Sequence, residues 1–162
     1  MVCEDAPQEE SDRLGDVPMI THVFHIHQHD WLVKAYINSD DSDADLILGD
    51  LWSVGADMDT MREAFRNLRE WKVNTGLTYT SPWNRTTIMV VSKTTSAKEF
   101  FNSLVHEISH AKTHICEYLG IDLTSEEASY FSGGLARDLF PHVKHLLCED
   151  CRNKITECHC EH

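Results

Sequence analysis

The chain's hydrophobic positions change period several times, and each change marks an element. From Met19 the stretch MITHVFHIHQHDWLVKAYIN sets β-branched and aromatic residues on both sides of a His-Gln-His-Asp interruption. That pattern predicts two strands joined as a hairpin. The acidic run SDDSDAD ends it. ADLILGDLWSVGA and DMDTMREAFRNLREW then take up helical spacing, with Met61, Phe65 and Leu68 on one stripe and Asp57 or Asp59 placed to cap the second helix. TGLTYT and TTIMVVSK, separated by the turn-forming SPWNR, predict a second hairpin.

The longest helical pattern follows. Ser96 and Glu99 make an S-x-x-E capping box, and Gly120 stands where a left-handed C-terminal cap belongs, so the helix is expected to run from Ala97 to Leu119. At about 100° per residue, Phe101, Leu104, Ile108, Ala111, Ile115 and Leu119 form an apolar stripe. Glu99, Ser103, His106, His110, His114 and Glu117 gather roughly opposite, with Glu107 between the two faces. Such a helix packs one side on a sheet and turns its histidines into a cleft. Beyond GIDL, Thr124 or Ser125 opens another helix that runs through Phe140, where Pro141 ends or kinks it and HVKHLL resumes it.

Length and composition set the frame for these elements. A chain of 162 residues, 41% hydrophobic, suits one compact domain with one main core. Residues 1–18 hold six acidic residues, one Arg and two prolines, and read as a flexible acidic tail. The domain is expected over 19–147, and 148–162 is a Cys/His-rich tail. A formal net charge of −13 argues against nucleic acid or an anionic membrane surface as partner. No leader-like start and no apolar run near the roughly 20 residues that span a bilayer are visible, so the chain reads as soluble and cytoplasmic. Four of the six cysteines crowd into the last fifteen residues, which favours a reduced compartment over a disulfide framework.

The candidate chemistry lies in His106-Glu107-Ile108-Ser109-His110. Composition alone would produce roughly 0.06 H-E-x-x-H matches in this chain, so the motif carries weight. Residues i and i+4 stack on a helix, and two imidazoles can converge on one zinc ion with bonds of about 2.0–2.1 Å. The glutamate between them is placed to act as general base on a water polarised by the ion, and peptide hydrolysis is the natural reaction. His114 continues the series, but about 12 Å of helical rise separates it from His106. Thr113 and Cys116 occupy the glycine and third-histidine positions of the longer H-E-x-x-H-x-x-G-x-x-H pattern, which excludes that arrangement. The next helix, TSEEASYFSGGLARDLFP, offers Glu126 and Glu127 as a third donor.

H-E-x-x-H followed by E-A-x-x-F and a proline, over about residues 95–141, resembles the gluzincin-type zinc peptidases, most closely the ImmA/IrrE family. The whole chain also resembles small metallopeptidases of bacterial mobile elements and phages. The resemblance implies an α+β, zincin-like fold: a small antiparallel sheet packed on the active-site helix, with a following helix that supplies a Glu ligand. It implies His106, His110 and Glu127 as zinc ligands and Glu107 as general base, acting on a protein or peptide substrate as an endopeptidase. With Thr124 as cap, Glu127 is also a capping-box residue, but the helical wheel sets it at the border of the buried stripe and Glu126 toward solvent. The alternative function is a non-catalytic, metal-stabilised interaction module.

Other residues enter more weakly. His25, His27 and His29 alternate and would share one side of a strand, most simply as a partly exposed face. Cys148-x-x-Cys151 with Cys158-x-Cys160 has the donors for a four-thiolate zinc, in a spacing tighter than usual, and reads equally well as a reduced, disordered tail with adventitious metal affinity. Tyr130, His114 and Tyr118 are candidates for stabilising a developing oxyanion. Cys116 is expected to be buried and unreactive.

Overall fold

The computed structural model describes residues 17–152 other than Trp71. Four strands, β1 (Ile20–Ile26), β2 (Trp31–Ser39), β3 (Gly76–Ser81) and β4 (Thr86–Ser92), make one sheet in the order β1-β2-β4-β3. Both expected hairpins form, since β1 pairs antiparallel with β2 and β3 antiparallel with β4. The hairpins join through a parallel β2–β4 pairing, so the sheet is mixed rather than wholly antiparallel. Helices α1 (Ala44–Ser53) and α2 (Met58–Arg69), followed by β3, fill the crossover that a parallel pair requires.

The sheet is covered on both faces, which replaces the expected single core with two apolar clusters. Trp31, Val33, Ala35, Ile37, Met89 and Val91 face helices α3 (Ala97–Leu119) and α4 (Glu126–Val143). Tyr36, Ile88 and Val90 face the other way, onto Ile47, Leu51, Ala64 and Leu68 of α1 and α2. The near-continuous apolar runs of β2 and β4 have this cause, because a central strand buried on both faces has no polar side to show.

Helix α3 begins and ends where its sequence signals stand. Ser96 Oγ accepts the N–H of Glu99 at 3.1 Å, and Gly120 adopts φ 69°, a left-handed conformation that glycine enters without steric cost. The first N–H of the helix, at Ala97, is taken by a group distant in sequence, Glu149 Oε1 at 2.7 Å. Phe100, Leu104, Ile108, Ala111 and Ile115 are buried, each large apolar side chain contributing about 1.5–3 kcal/mol. Phe101, read from the sequence as part of the stripe, is exposed. Helix α4 is capped by Ser125, whose Oγ accepts from Ala128 N at 3.2 Å, and it continues through Pro141 to Val143 before a 3-10 turn at Lys144–Leu147. Near a helix end, Pro141 forfeits a single backbone bond and does not stop the helix. Residues 148–152 pack on the body of the domain, with Cys151 buried and the Arg152 guanidinium donating to the Thr94 carbonyl oxygen.

Candidate metal centre

One turn of α3 brings two imidazoles together. His106 Nε2 and His110 Nε2 stand 3.0 Å apart, with the rings edge to face at a centroid distance of 4.5 Å. Two nitrogens bound tetrahedrally to zinc lie about 3.3 Å from each other, so the pair needs only a small opening to accept the ion. Both residues are exposed, which leaves the remaining coordination positions accessible.

Glu107 points elsewhere. Its side chain is buried, with 3% exposure, and Oε2 accepts a hydrogen bond from Thr78 Oγ1 at 2.7 Å. The carboxylate lies against Gly76, where an added Cβ would collide with it. A side chain at 76 would have to displace this carboxylate. The alternation Gly76-Leu77-Thr78-Tyr79-Thr80 sends the small and hydroxyl-bearing residues to α3 and the larger ones to the opposite core. The sequence does carry this signal, as a Gly-x-Thr-x-Thr row in a strand, but nothing local says that the row faces Glu107.

His114 is half-buried and stands apart from the pair. Its Nδ1 lies 3.4 Å from Thr80 Oγ1, itself 3.0 Å from Thr87 Oγ1. Burial first, then the neighbouring His110, holds its pKa below the usual histidine value, opposed by Glu117 and Glu107. Thr78, Tyr79, Thr80 and Pro82 on one side, with His114, Glu117 and Tyr118 on the other, border a groove of about 420 Å³ between β3 and α3.

Glu127 does not join the histidine pair. Its side chain is 58% exposed, and Oε1 lies 3.9 Å from His29 Nε2. The buried stripe of α4 runs through Ala128, Phe131, Leu135, Leu139 and Val143 and leaves Glu127 outside it. Ser125, rather than Thr124, is the cap, so Glu127 is also not the third residue of a capping box. Glu127 borders a larger cavity of about 730 Å³ with Phe24, His25, Tyr130, Phe131 and Arg137, which does not include His106 or His110. Among the described residues no group of three or more His, Cys, Asp or Glu side chains is arranged to hold a metal ion.

The N-terminal histidines also depart from the expected row. His25 lies in β1 and bonds to Asp30 at 3.0 Å, whereas His27 and His29 lie in a 3-10 turn, so the three do not share one strand face. Cys116 is buried, as expected. Cys158 and Cys160 lie outside the described residues, as does most of the acidic tail of 1–18.

No protein-family model matches the chain, and no curated protein and no solved structure matches it. The fold itself is mixed α+β, and no helix among the described residues is long and apolar enough to cross a membrane.

Proposed function

We propose that this protein is a zinc-dependent metallopeptidase of zincin-like fold that cleaves a protein or peptide substrate, as an endopeptidase, in the cytoplasm. The observation that carries the reading is the convergence of the His106 and His110 ring nitrogens on the exposed face of α3. Zinc, when bound there, supplies polarisation of a carbonyl group and acidification of water. Glu107, buried yet next to the pair in sequence, is the residue to take and return a proton. Strand β3 has its one partner, β4, on one side only, and the edge left over adjoins the groove beside α3. An extended peptide can add to such an edge through its main chain, whatever its side chains.

Glu127 remains the proposed third ligand on the resemblance alone, since its place beside His29 lends it no support. The alternative, a non-catalytic metal-stabilised module, is favoured by one feature: the Glu107 carboxylate is engaged with Thr78 and Gly76. Metal analysis of the purified protein and of Glu107→Gln, combined with an unbiased peptide-cleavage profile, separates the two. The peptidase reading expects zinc in both proteins and cleavage in the first only. Zinc without cleavage in either, or loss of zinc from Glu107→Gln, would sink it.

A further inference from the structure

On one chain the histidine pair is an unfinished metal site. The His106 and His110 Nε2 atoms stand 3.0 Å apart on an exposed face of α3, and two imidazoles fill two of the four positions around a tetrahedral ion. Among the described residues no group of three or more His, Cys, Asp or Glu side chains is arranged to hold a metal, and Glu127 lies beside His29 instead. An exposed helix face can, however, be completed by itself. In a two-fold contact the same patch meets its own copy, so every residue that one chain brings is brought twice. Two histidines become four, the number that a closed tetrahedral site needs.

The surroundings of the pair suit a second copy. Phe101 and Val105, neighbours at i and i+4 on the helix surface, are 57% and 48% exposed, so a single chain leaves both apolar side chains in water next to the histidines in sequence. The exposed positions of α3 from 101 to 110 are Phe101, Asn102, Val105, His106, Ser109 and His110. None of them is acidic, in a chain of net charge −13. Chains of like charge repel, and a face without exposed carboxylates keeps that repulsion small at the contact. Zinc on neutral imidazoles also retains its double positive charge, which would lie between the two acidic chains.

We propose that two copies of this chain pair through α3 and share one zinc ion, held by His106 and His110 from each. The proposal rests on the reading that this histidine pair binds zinc. It adds a regulation of the same site: four imidazoles leave no position for water or substrate, so the paired form is the resting one. The peptidase activity proposed above then belongs to the separated chain.

Sedimentation of the full chain, stripped with a chelator and then titrated with zinc chloride, tests this. The mass is expected to double as one zinc per two chains binds, beyond whatever the His106→Ala/His110→Ala double variant takes up, and the double variant should stay single throughout. His114→Ala should pair as the parent does. Ser109→Arg changes an exposed position between the two histidines, and should weaken the pairing by at least about tenfold, because a two-fold contact sets the new cation against its own copy. Doubling that persists in the double variant, or that Ser109→Arg leaves unchanged, overturns the proposal. A single chain carrying its own zinc at the histidine pair overturns the pairing and leaves the peptidase reading standing, whereas a pair that takes up no zinc overturns both.

Discussion

Thr78 on the edge strand donates its hydroxyl to Glu107 on the histidine-bearing helix across 2.7 Å, and Gly76, on the same side of that strand, leaves room for the carboxylate. Gly76→Ala puts a methyl group into that room and is expected to cost about 1–3 kcal/mol, as overpacking does. Thr78→Val leaves the buried carboxylate without this donor, at a cost of about 1–3 kcal/mol. Both should lower the urea midpoint, and both should abolish cleavage with zinc retained. Unchanged midpoints would show that Glu107 is not held by the strand.

The two ends of the histidine series should behave differently. His110→Ala removes one arm of the pair and is expected to lose the zinc proposed at that site, together with the rise in Tm that added zinc produces in a protein whose native state binds it. His114→Ala should keep that zinc, because His114 is engaged with Thr80 on β3. Zinc titration followed by calorimetry distinguishes them, and equal loss in both would place His114 in the centre.

A catalytic zinc needs a third protein ligand. Under the proposed function, Glu127→Ala lowers zinc affinity at the histidine pair by at least tenfold and ends cleavage. Glu126→Ala, an exposed change, shifts stability by less than about 0.5 kcal/mol. Undiminished zinc affinity in Glu127→Ala would confine the centre to the two histidines and favour the non-catalytic module.

Acid should loosen the contact between β1 and α4. His22 lies against His142 with the rings tilted by 30° and their centroids 3.9 Å apart, and burial first, then His142, lowers its pKa below 6.5, with Asp138 opposing. A lowered histidine pKa means that the unfolded chain binds the proton more readily than the folded one. The contribution is therefore intact above pH 6.5 and declines as pH falls from 6.5 to the folded value. Thermal unfolding across this range should show a falling Tm that His22→Gln flattens. An identical pH dependence in the variant would remove His22 as its source.

The bounds of α3, its Ser96 and Gly120 caps, the Asp57 cap of α2, the two hairpins and the stacking of His106 on His110 are all legible in the sequence. Each depends on residues within a turn or a hairpin of one another, where periodicity and capping chemistry act directly. The tertiary structure alone decided the parallel pairing of β2 with β4, the second apolar cluster, the burial of Glu107 against Gly76 and Thr78, and the attachment of Glu149 and Arg152 to the start of α3. It also set the rotation of α4, which turns Glu127 to His29 and away from the histidine pair. A helix's own periodicity defines its apolar stripe only to within a residue or so at the border. Which border residue is buried depends on where the neighbouring helix and sheet lie, and that is a sum of contacts between segments far apart in the chain.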